Sequence, residues 1–250
     1  MSAPPRPAVA VLGVTSAIAR ATANAFAEAG HPLVVAARDE PELERIASDI
    51  RVRYNVDVHA IVFDAADHAS TETLCDRCAA AAGMLAGVVV GFGFMDDHAT
   101  TQADSNLIRL TMNANLTESA VILEKFATHF LEQGAGFIVG ITSVAGDRGR
   151  QSNYIYGASK AGMSTYLQGL RNRLDKQGVR VLTVKPGFVD TKMTFGLPGL
   201  FLVATPESVG RTIHRAVQRE KDVMYVPWFW RYILLIIRAI PERVFKRLSL

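Results

Sequence analysis

The chain predicts an α/β architecture: a doubly wound parallel sheet of about seven strands with helices on both faces. Short apolar runs, mostly continuous rather than alternating, recur at residues 8–13, 32–37, 56–63, 85–93, 136–142, 179–185 and 222–226. Strands buried on both faces read this way. Between them lie longer stretches of helical period, several closed by a glycine such as Gly30 or Gly178. Finally, 250 residues with 49% hydrophobic and 20% charged side chains suffice for one such core and exclude a disordered chain. No internal repeat or linker divides it. Residues 1–227 read as the sheet domain and 228–250 as a basic amphipathic extension.

In order, the first run (8–13) ends at Gly13 and passes through Val14, Thr15 and Ser16 into an Ala-rich helix. Strand, tight turn and helix N-terminus together offer free N–H groups and a dipole to an anion, the arrangement that holds a dinucleotide pyrophosphate. Only the first glycine of the usual fingerprint is present; Ala17 and Ala19 stand where small residues are needed. The second run ends at Ala37-Arg38, with a cation where an acid would bind a ribose hydroxyl, so NADP(H) is favoured and NAD(H) is the alternative. Asp39 follows, before a helix at 40–53. The third run ends at Asp64, placed either to accept from an adenine amino group or to cap the next helix. Gly91 and Gly93 keep the end of the fourth run open. A long helix is predicted over 104–131, carrying Asn113 and Asn115. The fifth run delivers Ser143 at its carboxyl end, where ligands bind in open parallel sheets. A helix over 153–177, the sixth run, Pro186-Gly187, an apolar loop at 188–204 and a Thr-Pro-Glu helix start at 205 complete the domain.

Net charge is +3, but residues 228–250 hold five basic side chains against the single Glu242, which leaves the remainder near −1. A nucleic-acid footprint on the body is excluded by that balance. The N-terminal MSAPPRP has no apolar core of a signal peptide, and the cytoplasm is the expected compartment. Cys75 and Cys78 fall within a helical pattern at 71–82 with no second pair, so they read as structural; no metal site is expected. Residues 228–240 (WFWRYILLIIRAI) would span about 20 Å as a helix, short of a ~30 Å hydrocarbon core. The run suits a membrane interface, or else packing on its own subunit or a neighbour.

The chemistry concentrates in residues 143–160, SVAGDRGRQSNYIYGASK. Tyr156 and Lys160 are four residues apart and share a helix face. A free phenol titrates near ~10; a lysine one turn away is expected to lower that value toward neutrality. Tyr154 is excluded as the proton donor, because its i+4 neighbour is Ala158. Arg148 and Arg150 flank the expected mouth, either as phosphate contacts or as solvated loop residues.

Taken together, the Gly13 turn, Asp64, Asn115 in Asn-Leu-Thr, Ser143 thirteen residues before Tyr156, Tyr156-x-x-x-Lys160, and Pro186-Gly187 with Thr191 resemble the short-chain dehydrogenase/reductase family over nearly the whole chain. The resemblance implies a Rossmann-type fold, a homodimer or homotetramer, and a ketone reductase in which Tyr156 donates the proton. It further implies that Ser143 steadies the substrate oxygen, Lys160 serves both phenol and nicotinamide ribose, and Asn115 holds a water. A cofactor site follows from it: Gly13, Thr15, Ser16, Ile18, Arg38, Asp64, Gly91, Gly93, Tyr156, Lys160, Pro186, Gly187, Val189 and Thr191. Departures are Ala17, Ala19 and Val90-Gly91-Phe92-Gly93, where Phe92 and Phe94 are expected to narrow the mouth. Gly-Phe-Gly at 91–93, Ala-Gly-Asp-Arg-Gly-Arg at 145–150 and the pattern from Pro227 to Leu248 are similar to reductases of decaprenylphosphoryl 2-keto sugars. That likeness implies a lipid-linked carbonyl substrate and peripheral membrane contact through 228–250. A free hydrophobic carbonyl of steroid, retinoid or keto-acyl type is the alternative substrate, and a dinucleotide binder without turnover the alternative class.

Overall fold

The computed structural model describes residues 6–192, 194 and 202–248. The elements run β1 (Ala8–Leu12), α1 (Ala17–Glu28), β2 (Leu33–Ala37), α2 (Glu40–Tyr54), β3 (Val58–Val62), α3 (His68–Ala82) and β4 (Leu85–Val90). They continue through α4 (His98–Ala103), α5 (Ser105–Met112), α6 (Glu118–Gln133), β5 (Gly136–Ile141), α7 (Tyr154–Leu174) and β6 (Val179–Pro186), then α8 (Pro206–Gln218), β7 (Val223–Val226), α9 (Trp230–Ala239) and α10 (Glu242–Phe245). All seven strands are parallel, in the order β3-β2-β1-β4-β5-β6-β7. The order reverses between β1 and β4, so the crevice beyond their carboxyl ends is where this topology seats a ligand.

Every residue of β1 and β2 is buried, because helices cover both faces. One core packs α1, α2 and α8 against the sheet around Phe26, Leu43 and Ile213; the other packs α3, α6 and α7 around Leu74, Phe126 and Leu167. The helices start as their sequences dictate. Asp39 accepts from the Glu42 N–H at the head of α2, Asp67 from the Ala69 N–H at α3, and Thr205 from the Ser208 N–H at α8. Helices α1 and α8 approach so closely that a Cβ on Gly210 would lie 2.4 Å from the Ala21 backbone.

Two sequence expectations need correction. The predicted helix 104–131 is α5, a π-helical turn at Asn113–Thr117, and α6, which runs on to Gln133 and stops at Gly134 in the left-handed region. The fourth strand ends at Val90, not Gly93. In the 188–204 loop, residues 193 and 195–201 lie outside the described residues. Cys75 and Cys78 are buried free thiols in α3, and burial pushes both up to about 12. Their structural reading stands.

Candidate active site

The turn after β1 is built around Gly13. Its φ is +82°, and a Cβ there would lie 2.6 Å from the Phe92 backbone nitrogen. No other residue fits. Val14 is buried, Thr15 is exposed and Ser16 makes no side-chain cap bond. The first N–H groups of α1, at Ala17, Ile18 and Ala19, therefore point out of the helix end without an intrahelical acceptor. Ile18 packs partly on the core, so the group it presents is its N–H.

The motif departures at Ala19 and Gly91 explain each other. A Cβ on Gly91 would lie 2.7 Å from the Ala19 Cβ, so the glycine needed at this contact sits just after β4 instead of on the helix. Gly91 thus has a packing reason to be small, against Ala19 of α1, as Gly13 has against Phe92. The Phe92 ring packs on Phe63 at 5.3 Å and is partly buried against the second core.

At the end of β2, Arg38 is extended into solvent, its side chain 78% exposed and 4.0 Å from the Asp64 carboxylate. Asp39, the next residue in the chain, is engaged as the α2 cap. Asp64 accepts from the Ala66 N–H (2.9 Å) and does not cap α3; Asp67 does. An exposed cation without a carboxylate at the strand end fits a 2′-phosphate.

Ser143 follows the carboxyl end of β5 and caps a 3₁₀ turn, Val144–Gly146, by accepting from the Ala145 N–H (3.1 Å). Tyr156, at the head of α7, lies beside this turn, and the Ser143 hydroxyl acts on its phenol. Lys160 lies one turn along α7, its Nζ 5.7 Å from the centre of the Tyr156 ring and donating to the Ile141 carbonyl (3.3 Å). The expected direction of the tyrosine shift is corrected here. Burial pushes the phenol up to about 12, with the Ser143 bond opposing, and burial brings Lys160 down to about 8. Desolvation, which disfavours the charged form of each group, sets both directions.

Asn115 is buried in the π turn and uses both ends of its amide. Oδ1 accepts from the Phe94 N–H (2.7 Å), and Nδ2 donates to the Phe94 carbonyl (2.8 Å) and to Ser159 Oγ (3.1 Å). The side chain thereby pins the exit from β4 to α7. Gly93 leaves room beside it, since a Cβ there would lie 2.8 Å from Asn115 Oδ1 and 3.2 Å from Lys160 Nζ.

Pro186 is the last residue of β6, paired with Val226. Gly187 is small for a reason other than cofactor approach: a Cβ would lie 1.9 Å from Trp230 Nε1 of α9. Val189 is buried under α8, and its carbonyl accepts from Thr194 Oγ1 (2.6 Å). The Thr191 N–H is also bound to Thr194 Oγ1 (3.1 Å).

A buried network went unread in the sequence. Asp147 accepts from Lys185 Nζ (2.5 Å) and from the Tyr225 hydroxyl (2.7 Å) at the carboxyl edge of the sheet. The one signal was Lys185, a charge at the end of an apolar strand. Arg148 is neither a solvated loop residue nor open to a phosphate: it is bound to the C-terminal segment. That segment packs on its own subunit, with Trp230 and Leu234 buried against Val144.

A parallel sheet that reverses order at an uncapped helix end, with a Ser, Tyr and Lys converging beside it, defines a dinucleotide-fold oxidoreductase. Residues 7–197 match the family model described as short chain dehydrogenase. An uncharacterized oxidoreductase of Mycobacterium tuberculosis is 33% identical over 240 residues, covering 96% of each chain. Another, from Streptomyces coelicolor, is 34% identical and covers 99% of this chain and 97% of its own. A short-chain dehydrogenase from Sphingobium yanoikuyae in complex with NADPH superposes with a TM-score of 0.82 at 25% identity, covering 95% of this chain and 97% of that one. The chain belongs to the short-chain dehydrogenase family.

Proposed function

We propose that this protein reduces a ketone to a secondary alcohol with NADP(H), Tyr156 being the proton donor. The observation that carries the reading is the convergence of Ser143, Tyr156 and Lys160 at the carboxyl end of the sheet, Lys160 Nζ lying 5.7 Å from the centre of the Tyr156 ring. The Gly13 turn, the free N–H groups of α1, Thr15 and Ser16 would hold the pyrophosphate, Arg38 the 2′-phosphate and Asp64 the adenine side. Lys160 would hold the nicotinamide ribose, Gly93 leaving space for it, with residues 186–191 nearby. The bound nicotinamide supplies the hydride. Tyr156 gives its proton to the carbonyl oxygen as that oxygen gains charge, and Ser143 donates a hydrogen bond to the same atom. A Lys160 cation favours the phenolate left behind, and Asn115, which frames the space beside Lys160, would place a water for reprotonation. The NADPH complex of the Sphingobium relative supports the cofactor choice, as does the exposed Arg38; NAD(H) is the second option.

For the substrate we favour a lipid-linked 2-keto sugar. Supporting it is the outer face of α9, where Trp228, Tyr232, Leu235 and Ile236 are exposed beside Arg231 and Arg238. Such a face suits an anionic membrane interface and would bring the mouth to a polyprenyl chain. Among the described residues no helix is long and apolar enough to cross a membrane. A free hydrophobic ketone is the second reading. Assembly as a homodimer or homotetramer would use α6 and α7, whose outer surfaces are joined by the Arg173–Glu124 pair (2.8 Å).

The test is NADPH oxidation with 2-dodecanone, 1-indanone and a farnesyl-phosphoryl 2-keto-pentofuranose, with NADPH binding followed by fluorescence. Tyr156→Phe should bind NADPH and lose turnover by about 10²–10⁴. Full turnover in that variant would refute the assignment.

A further inference from the structure

Residues 143–148 are held from two sides. On one side the Val144–Gly146 turn presses on α7. A Cβ on Gly146 would lie 2.7 Å from the backbone of Lys160 and Ala161, and one on Gly157 would lie 2.9 Å from the Ala145 carbonyl oxygen. On the other side stands the C-terminal segment, with Val144 buried against Trp230 and Leu234.

Arg148 closes this second contact. The last carbonyls of a helix have no intrahelical donor. Arg148 Nη1 donates to those of Ile237 (2.8 Å), Arg238 (3.0 Å) and Ile240 (2.7 Å). Its Nη2 donates to Glu242 Oε2 (3.0 Å), and its guanidinium lies 3.8 Å over the Phe245 ring. The side chain is only 14% exposed. Lysine, a point charge on a flexible stem, lacks the fork that spans these acceptors. The preceding residue, Asp147, is tied the opposite way, to Lys185 and Tyr225 on the sheet. Two successive side chains thus lock one turn to the sheet and to residues 230–245.

We propose that Arg148 is a positioning residue of the active site, seating the C-terminal segment on the Ser143 turn and so holding the Ser143 hydroxyl against Tyr156. This rests on the reading of Ser143, Tyr156 and Lys160 as the reacting groups. The Ser143 hydroxyl is bound to the turn's own Ala145 N–H, so its direction is that of the turn. A reacting group displaced by about 1 Å can lose on the order of 10² in rate.

The experiment compares wild type with Arg148→Ala, Arg148→Lys, Phe245→Ala and Tyr156→Phe. The readouts are NADPH oxidation with the best ketone of the panel, NADPH affinity, and hydrogen exchange of the 143–148 amides. For Arg148→Ala we expect kcat to fall about 10- to 100-fold, with NADPH affinity within about twofold and faster exchange at 143–148. Added ethylguanidinium should restore part of kcat, and Arg148→Lys should fall between. If Arg148→Ala does not fold, Phe245→Ala loosens the same contact from the far side and must show the same kcat loss and faster exchange. Unchanged kcat or unchanged exchange in the folded variants overturns the proposal. Tyr156→Phe separates the two ideas: if it keeps turnover the site reading fails, and if it alone loses turnover only the role of Arg148 fails.

Discussion

Lys160 is a cation held where cations are disfavoured, and replacing it should make the protein more stable. Its Nζ has one hydrogen bond, to the Ile141 carbonyl at 3.3 Å, and only 6% of the residue is exposed. The fall from 10.5 to about 8 on burial corresponds to roughly 3 kcal/mol against the charged form. Lys160→Met keeps length and removes charge. After about 1 kcal/mol is subtracted for the lost hydrogen bond, the variant should gain ~2 kcal/mol near pH 6.5, a rise of about 4–8 °C in Tm for a domain this size. Between pH 8 and 10.5 the unfolded wild type carries a proton that the folded protein has released, so wild-type stability climbs with pH through that window. The advantage of the variant should then shrink by about 1.4 kcal/mol per pH unit above 8 and vanish near pH ~9.5. Tyr156 stays protonated there, because burial has pushed it up to about 12. Urea unfolding of both proteins without added nucleotide, at about pH 6.5, 8 and 9.5, measures this. A difference that does not change with pH, or a methionine variant less stable at the lowest pH, refutes the argument.

Arg38→Ala should lower the preference for NADPH over NADH by about 10-fold or more, because a charge-assisted bond to the 2′-phosphate is lost; the ratio of kcat/KM values for the two cofactors reads it. Gly210→Ala should cost about 1–3 kcal/mol, since the new methyl meets the Ala21 backbone and not a movable side chain; thermal melting tests this. Cys75 and Cys78, buried with thiols held at about 12, should resist a disulfide reagent at pH 8 while the protein is folded and react once urea unfolds it. Rapid labelling of the folded form would show that α3 is not packed as described.

The features that were legible in the sequence are local ones. Apolar runs marked all seven strands, most plainly β1 and β2, because a strand covered on both faces has no polar side to interrupt it. The Tyr156–Lys160 spacing needed only the pitch of a helix. What escaped depends on partners far away in sequence. Nothing near Gly187 announces that Trp230 will lie against it, and nothing near Ala19 says that Gly91 yields the space. Phe92 looked like a gate because its neighbours are glycines, yet its ring meets Phe63. The direction of the Tyr156 shift was misjudged for a related reason. One neighbouring charge can be counted in a sequence, whereas the loss of water around both groups comes from the whole packed cleft.

The acceptors that Arg148 grips are made 89 to 94 positions after it. Contacts so far apart form late, after the cost of closing a long loop has been met. During synthesis the sheet through β5 and the helix bearing Tyr156 can therefore assemble while Val144 is still bare. A growing chain in this condition carries its chemistry before its bracing, with an apolar spot facing water or a chaperone until residues 230–245 arrive.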